Sequence, residues 1–299
     1  MTILQRSPPA SLRTALIAAA FGRGASDPGC AAGPARLRDA DLAGRLAAAG
    51  VAAEWLADIG DPVGEPSPMA AAADVAARLA TACGAALAAA RRPVVIGGDH
   101  SCAVGTWSGV ARGLRGEGRL GLIWIDAHLD SHTPATSHTG MIHGMPVAAL
   151  LGHGDPRLTG IAGGMPALRP EDLCIVGGRD YEPEEPEFLA GQGVRVFFAE
   201  EVRARGLPAV MDEALTRVRA GTAAFGVSLD LDAVDPGEAP GVGCRVADGL
   251  TAADLVAAVE QMRSVAEPIA WELVEFNPRR DIDGRTAALA MRLLESALR

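Results

Sequence analysis

The sequence contains no lysine and only six histidines, so arginine supplies all 27 of its basic residues. Acidic residues are more numerous, which leaves a net charge of −10 at pH 7 and an isoelectric point near 5.1. A chain with this excess of negative charge has no general basic surface for the phosphates of nucleic acid or of an anionic membrane. We therefore expect neither nucleic acid nor a membrane among its partners.

The sequence also lacks the patterns of an exported or membrane-bound protein. Residues 1–13 carry no long apolar segment of the signal-peptide kind, and no apolar run reaches membrane-spanning length. The cysteines are odd in number and widely spaced, and none form a CxxC pair, which is typical of a reducing cytosol. They are Cys30, Cys83, Cys102, Cys174 and Cys244. We expect a cytoplasmic protein.

Short apolar runs that are typical of buried strands alternate with helical segments along the chain. The predicted strands cover residues 14–20, 51–56, 93–97, 120–126, 172–177, 194–198, 223–229 and 269–275. The predicted helices cover roughly residues 35–48, 69–91, 102–115, 208–220, 251–265 and 285–298. Strands that are apolar on both faces and separated by helices are typical of a parallel sheet covered on both sides. Because the alternation never breaks, we expect an α/β fold with residues 1–299 in a single domain.

Polar side chains follow four of the predicted strands, at the point where each strand ends. They lie in the segments "GGDHS", "DAHLD", "SLDLDAVDP" and "VEFNP". In an open parallel sheet, ligands bind at the carboxyl ends of the strands. We therefore expect one edge of the sheet to carry the site, with the side chains of His100, Asp126, His128, Asp130, Asp230, Asp232 and Glu275.

The spacing of charged residues in "DAHLD" indicates a metal site. In extended backbone, Asp126, His128 and Asp130 face the same way, and Asp230 and Asp232 repeat this spacing. Crowded carboxylates raise one another's pKa unless a cation compensates their charge. Mixed His and Asp ligation suits Mn²⁺, or less specifically Zn, Fe, Ni or Co. Two such ions roughly 3.5–4 Å apart can activate a bridging water. A single motif of this kind, taken alone, would also fit a strand end whose charged residues form salt bridges.

Together with "HGMP" and "GGRD", these motifs resemble the ureohydrolase family, which contains arginase, agmatinase and related guanidino-acid hydrolases. The resemblance runs from "PGCAAGPARLR" at residues 28–38 to "ELVEFNP" and so covers most of the chain. It implies a three-layer α/β/α sandwich around a mostly parallel eight-stranded sheet, and a centre of two Mn²⁺ ions. It also implies a homo-oligomer, either a trimer or a hexamer.

Carried over by position, the resemblance also assigns roles to individual residues. The implied metal ligands are His100, Asp126, His128, Asp130, Asp230 and Asp232. Asp126 and Asp230 would bridge the ions, and Asp130 would also relay a proton. His143 matches the histidine that shuttles protons, since imidazole titrates near neutrality. Glu275 would pair with the substrate guanidinium, a planar fork that suits two carboxylate oxygens.

The loop of residues 130–143 has the length and layout of arginases, in which it holds the α-carboxylate of the substrate. Its side chains nevertheless depart from the family pattern. His132 replaces an Asn, Thr139 replaces a Ser, and Met141 replaces an Asn. His132 and Thr139 can still donate hydrogen bonds to a carboxylate, whereas Met141 has no comparable donor.

Two further departures lie outside this loop. Glu182 stands where arginase uses an Asp for the α-amino group of the substrate. In "PGVGCRVADGL", Cys244 replaces a Thr close to the site, and we expect its thiol to line the loop rather than to bind metal. The predicted substrate-binding residues are thus His132, Thr139, Glu182 and Cys244.

These residues predict a Mn²⁺-dependent hydrolase of the arginase type, which converts L-arginine to urea and L-ornithine. The changed loop residues leave open another guanidino substrate, such as a guanidino acid, hydroxyarginine or agmatine. A non-catalytic, metal-stabilised subunit of the same family is a third alternative, because "GCRVADGL" departs from the family pattern.

The remaining singled-out residues are predicted to be structural. We expect His138 and His153 to face solvent in loops, and Trp107 and Trp124 to pack between the helices and the sheet. Residues 182–187, "EPEEPE", are predicted to form a solvated acidic loop in which only Glu182 contacts substrate.

Overall fold

The computed structural model describes residues 13–299, so all but the last residue of the segment 1–13, in which no signal peptide is expected, lies outside the described residues. Eight strands form one sheet: β1 (Arg13–Ala20), β2 (Ala53–Gly60), β3 (Arg91–Gly97), β4 (Leu120–Ile125), β5 (Leu173–Val176), β6 (Arg195–Phe197), β7 (Ala224–Asp230) and β8 (Ala270–Val274). Their order is β2-β1-β3-β8-β7-β4-β5-β6, and all neighbouring strands are parallel. The predicted eight-stranded sheet is confirmed.

The helices are α1 (Gly33–Asp39), α2 (Leu42–Ala48), α3 (Pro68–Ala88), α4 (Ala103–Gly113), α5 (Pro146–Leu150), α6 (Pro156–Thr159), α7 (Glu184–Gln192), α8 (Ala199–Arg205), α9 (Leu207–Val218), α10 (Ala252–Val265) and α11 (Arg285–Leu298). The prediction of one helix over residues 35–48 is wrong, because Asp41 has φ 57° and separates α1 from α2. Helices α5 to α8 were not predicted. They have four to nine residues each, which is too short for a clear helical period.

Side chains along each central strand alternate between two hydrophobic cores. On β3, Val94 and Ile96 belong to one core and Val95 belongs to the other. The first core also contains apolar residues of α1, α2, α9, α10 and α11, and the second contains those of α3, α4 and α5. Helices therefore cover both faces of the sheet, and the predicted three-layer α/β/α architecture is confirmed.

Helix α3 corrects one expectation about membrane segments. By length and composition alone it is apolar enough to cross a membrane, with a mean hydropathy of 1.3 over its best window. In the fold, however, it packs against α4 and the sheet through Val75, Leu79 and Cys83, which are buried. Asp74 and Arg78 form an exposed ion pair of 2.7 Å in the middle of the helix. This charged, solvent-facing side is typical of a helix at the surface of a core.

Two glycines allow α4 to lie directly against α3. A Cβ atom on Gly105 would lie 2.6 Å from the carbonyl oxygen of Ala76, and one on Gly109 would lie 2.5 Å from that of Ala80. Neither backbone oxygen can move without shifting its helix. The glycines of α4 therefore set the distance between α3 and α4, which lie side by side in the same helical layer.

We expect Gly109→Ala to lower the free energy of unfolding by about 1–3 kcal/mol, because the added methyl group overpacks the contact between α3 and α4. Gly84→Ala is the matched control, since its Cβ would lie 3.9 Å from the nearest atom. That substitution should raise the free energy of unfolding by up to about 1 kcal/mol, because alanine favours a helix interior. Urea denaturation of both variants measures the difference, and equal midpoints would contradict the close contact.

Candidate active site and metal centre

One buried group of side chains surrounds the imidazole of His100, just after the end of β3. Its Nδ1 atom lies 3.0 Å from Oδ2 of Asp126 and 3.1 Å from Oδ2 of both Asp130 and Asp230. Nδ1 of His100 and Oδ2 of Asp130 are both buried, yet neither makes a hydrogen bond. One nitrogen and three carboxylate oxygens therefore converge with no hydrogen bond to one another, which is the arrangement that a metal ion requires of its ligands.

A second group shares Asp126 with the first. Nδ1 of His128 lies 3.3 Å from Oδ1 of Asp126 and 3.2 Å from Oδ2 of Asp232. Asp126 therefore directs one oxygen to each group, as a bridging carboxylate would. Within residues 13–299, these two groups contain all six predicted metal ligands.

The backbone that brings these ligands together differs from the prediction. Strand β4 ends at Ile125, and Asp130 has φ 48°, so Asp126, His128 and Asp130 do not lie on one extended strand. Asp230 is the last residue of β7, while Asp232 lies in the short 3₁₀ helix Leu231–Ala233. The side chains converge because a tight turn follows each strand.

The buried carboxylates of these two groups repel one another, and a bound cation would stabilise them. Burial, together with the charge of Asp126, raises the pKa of Asp130 to about 7. Burial and the charges of Asp232 and Asp126 likewise raise the pKa of Asp230 well above its usual range. Divalent ions would remove this repulsion and keep the carboxylates ionised. The donor set of imidazole and carboxylate, without thiolate, fits Mn²⁺ or a similar divalent metal.

Above these ligands lies a cavity that also contains the predicted head-group residues. Asp126 and Glu275 do not border it, but every other predicted site residue does. Its lining residues are His100, His128, Asp130, His132, Ser137, Thr139, Met141, His143, Gly144, Asp180, Tyr181, Glu182, Glu185, Asp230, Asp232 and Cys244.

His143 lies on one wall of the cavity, and Glu275 lies behind it. Oε1 of Glu275 is 3.0 Å from Nδ1 of His143 and also accepts a hydrogen bond of 3.0 Å from the backbone N–H of His100. Oε2 of Glu275 accepts one from the Cys30 thiol at 3.1 Å. Burial opposes a charged imidazole, but the hydrogen bond and charge of Glu275 outweigh it and raise the pKa of His143 to about 9.

Glu275 itself is nearly inaccessible, with 2% of its surface exposed and φ 63°. Both of its oxygens already have partners within the chain. The structure thus brings Glu275 to His143 rather than to the cavity surface, and its pairing with a substrate guanidinium stays a prediction. A left-handed backbone at a non-glycine residue carries strain, which is common at functional sites.

Another part of the cavity lining is formed by His132 and Glu182, which are paired with each other. Nε2 of His132 lies 2.9 Å from Oε2 of Glu182, and Nδ1 lies 3.1 Å from the Thr136 hydroxyl. The hydrogen bond from His132 lowers the pKa of Glu182. The carboxylate is therefore ionised, and an ionised carboxylate can accept hydrogen bonds from a cationic group.

Thr139 and Cys244 complete the predicted head-group residues. The Thr139 hydroxyl accepts a hydrogen bond of 3.2 Å from the backbone N–H of Met141, so its own proton can be donated into the cavity. Burial raises the pKa of Cys244 to about 12. This value favours a neutral thiol and fits the prediction that Cys244 lines the loop.

Glu185 is a further residue of the cavity lining, and its place there was not predicted from the sequence. The prediction of a solvated loop over residues 182–187 is wrong there, because α7 begins at Glu184 and Glu185 is buried. Glu185 accepts hydrogen bonds from the backbone N–H groups of Ser131 at 3.0 Å and Glu182 at 3.1 Å, and so joins the segment that carries His132 to the segment that carries Glu182. No local sequence pattern predicts this contact, since it joins residues 54 positions apart.

Two residues of the "GGRD" motif, Arg179 and Asp180, contact the ligand groups although no role was predicted for them. Arg179 donates hydrogen bonds of 2.8 Å to the carbonyl of Asp232 and 3.0 Å to that of Val246, which joins a ligand turn to the divergent segment "GCRVADGL". Asp180 lies 3.6 Å from Nε2 of His128. The motif was the signal that could have identified both.

The residues predicted to be structural divide into two groups. Trp107 and Trp124 are fully buried, as expected, but Trp124 also stacks on His100 at 4.0 Å and donates a hydrogen bond of 2.9 Å to Asp126. His138 is exposed, in agreement with the prediction. The expectation of a solvent-facing His153 is wrong, because it is half-buried and packs edge-on against Phe188.

Known proteins resemble this chain in sequence and in structure. The model of the Arginase family matches residues 12–299. The arginase of Bacillus caldovelox is 38% identical over 88% of this chain and 90% of its own length, and that of Brevibacillus brevis is 42% identical over 70% of each. The crystal structure of arginase from Bacillus subtilis superimposes with a TM-score of 0.89 at 33% identity, over 96% of this chain and 98% of that one. The chain therefore belongs to the arginase family.

Proposed function

We propose that this protein is an arginase, which hydrolyses the guanidinium group of L-arginine to urea and L-ornithine. The observation that carries the proposal is the pair of ligand groups that share Asp126 at the floor of a cavity. The residues that line this cavity include His143 and Glu182. The membership of the arginase family and the arginase names of its relatives support this substrate.

The proposed cofactor is a pair of Mn²⁺ ions, and the proposed ligands are His100, Asp126, His128, Asp130, Asp230 and Asp232. When bound, two divalent ions would lower the pKa of a water molecule to about 7 and so supply the attacking oxygen at neutral pH. Mn²⁺ is favoured because all six side chains offer imidazole nitrogen or carboxylate oxygen.

The chain supplies the proton transfers and the orientation of the substrate. His143 is held through Nδ1 by Glu275, so its Nε2 atom is free to exchange a proton with the leaving amine. Asp130, whose Oδ2 lacks a hydrogen-bond partner, is the proposed relay toward His143. Glu275 positions His143 and is also the predicted partner of the guanidinium.

The amino-acid head group would bind between His132, Thr139 and Glu182, with Cys244 lining the same cavity. The imidazole and the hydroxyl can donate hydrogen bonds to an α-carboxylate, and the Glu182 carboxylate can accept from an α-amino group. In place of the 2.9 Å contact between His132 and Glu182, the α-carboxylate would accept a hydrogen bond from His132 and the α-amino group would donate one to Glu182.

Urea release from three compounds tests the proposed substrate. The protein is freed of metal with a chelator, reloaded with Mn²⁺, and supplied with L-arginine, agmatine or 4-guanidinobutyrate. We expect L-arginine to give the highest kcat/KM, because agmatine lacks the carboxylate and 4-guanidinobutyrate lacks the amino group. A missing polar partner at a site built for it reduces kcat/KM by up to about 10⁴–10⁵.

Another guanidino substrate is the second candidate, and the neutral side chain of Met141 in the cavity wall favours it. If agmatine or 4-guanidinobutyrate gave the higher kcat/KM, the metal chemistry would stand and the arginine specificity would be wrong. If Mn²⁺ bound and none of the three compounds released urea, the third alternative, a non-catalytic subunit, would replace the proposal.

We further propose one catalytic domain over residues 1–299, a cytoplasmic location and a homo-oligomer, either a trimer or a hexamer. The near-complete overlap with the arginase of Bacillus subtilis supports the single domain. The absence of CxxC pairs supports a reducing compartment. The oligomer follows from the family resemblance alone, and sedimentation velocity of the purified protein tests it.

A further inference from the structure

A buried carboxylate that the proposed chemistry does not use lies behind the metal ligands. Glu272, on β8, is fully buried. Its Oε1 accepts a hydrogen bond from the Thr106 hydroxyl. Its Oε2 accepts two, from Nε1 of Trp107 at 2.9 Å and from the Ser228 hydroxyl at 2.7 Å. Burying a carboxylate is costly, so three donors from α4 and β7 indicate a function for this position.

The hydrogen bonds fix the direction in which Ser228 donates. An ionised carboxylate can only accept hydrogen bonds, so the single hydroxyl proton of Ser228 points to Oε2 of Glu272, as the indole N–H of Trp107 does. Ser228 and Glu272 are direct neighbours across the β7–β8 pair, which holds this contact in register. The Ser228 oxygen is left with its lone pairs facing His100, whose Nε2 atom is 3.0 Å away.

This direction determines the tautomer of His100. Because Ser228 has no second proton, Nε2 of His100 must carry the hydrogen and donate it to Ser228. In the neutral imidazole, which is the form that binds a metal ion, Nδ1 is then unprotonated, and its lone pair faces the oxygens of Asp126, Asp130 and Asp230 at 3.0–3.1 Å. A lone pair directed at three carboxylate oxygens is repelled unless a cation lies between them.

We propose that Glu272 is a positioning residue that acts through Ser228 to fix the tautomer and ring orientation of His100, and thereby sets the affinity for one of the two metal ions. Such outer partners of a ligating histidine typically change metal affinity by about 10–100-fold. The stacking of His100 on Trp124, at 4.0 Å and 11°, restrains the same ring from its face. The inference rests on the proposed function, because it takes His100 as a metal ligand.

The hydrogen bonds from Glu272 through Ser228 to His100 involve only one of the two ligand groups. His100 belongs to the group with Asp126 and Asp230, whereas His128 belongs to the group with Asp126 and Asp232. Loss of the Ser228 contact should therefore weaken one binding step and leave the other nearly unchanged. A general loss of packing would instead weaken both steps or lower the stability of the metal-free protein.

The experiment is a Mn²⁺ titration of the metal-free full chain, followed by calorimetry, for the unaltered protein and for Ser228→Ala. We expect one of two binding steps to weaken by about 10–100-fold in Ser228→Ala. Thr106→Val is the matched control, because it removes a different donor to Glu272 and leaves the Ser228–His100 contact in place. It should retain both binding steps while losing some thermal stability.

Two results would overturn the inference: unchanged affinities in Ser228→Ala, or an equal loss in Thr106→Val. Glu272→Gln, which keeps the shape and removes the charge, provides a second test if Ser228→Ala fails to fold, and it should weaken the same step. If the unaltered protein bound no Mn²⁺, the proposed function would fail. If it bound two ions and Ser228→Ala bound them equally well, only this inference would fail.

Discussion

Asp126→Asn is expected to lower kcat by at least about 10³-fold and to reduce the Mn²⁺ content of the protein. Among residues 13–299, Asp126 is the side chain that contributes an oxygen to both ligand groups, at 3.0 Å from Nδ1 of His100 and 3.3 Å from Nδ1 of His128. An outer partner of a ligand already affects metal affinity by about 10–100-fold, so a shared direct ligand should matter more. The amide keeps the shape of the carboxylate but loses its charge and one acceptor oxygen.

The measurement is metal content after dialysis against a low concentration of free Mn²⁺, together with urea release from L-arginine. Asp172→Asn is the matched control, since Asp172 is also a buried carboxylate but pairs with Arg119 at 2.6 Å, beside β5. It should lose stability and keep its metal. Full metal content and normal turnover in Asp126→Asn would remove Asp126 from the centre.

The position of the site could be predicted from the sequence because ligands of an open parallel sheet bind at one edge, where the strands end. Each strand is a continuous apolar run, and the charged residues begin where the run ends, as in "LGLIWI" followed by Asp126. Since the strands are parallel, all these ends lie at one edge. Segments separated by more than 100 residues, such as those around His128 and Asp232, are thereby brought into contact.

The detailed contacts could not be predicted, because they depend on turns and on long-range packing. The equal spacing of Asp126, His128 and Asp130 indicated an extended strand, but the left-handed φ of Asp130 shows a tight turn instead. The contact of Cys30 with Glu275 joins residues 245 positions apart, and neither has a local signal for it. Tertiary structure decides such contacts, so sequence spacing carries no information about them.

The exposure of acidic residues was also predicted wrongly from the sequence. "EPEEPE" has the composition of a solvated loop, yet Glu185 within it is buried. Its burial is offset by backbone donors from Ser131 and Glu182, which satisfy the carboxylate. The same principle explains the buried Glu272, whose three donors come from elements that the sequence places far away. A buried carboxylate is recognised by its partners, and these are known only from the fold.

His143→Ala is expected to reduce kcat by roughly 10²–10⁴-fold while both metal ions stay bound, because a positioned acid–base group contributes that much. His143 borders the cavity and is held by Glu275 at 3.0 Å, but it belongs to neither ligand group. His138→Ala is the matched control, since His138 is an exposed loop histidine outside the cavity. It should retain the kcat of the unaltered protein.

The pH dependence of kcat distinguishes this role from a structural one. Glu275 raises the pKa of His143 to about 9 in the metal-free chain, and nearby cations would lower it from there. A protonated His143 can give its proton to the leaving amine, so kcat should fall as the pH rises through a value at or below 9. In His143→Ala, kcat should no longer decrease in this pH range, and the variant should keep its metal content. If the variant retained the basic limb, another group would be the proton donor, and His143 would only line the wall of the cavity.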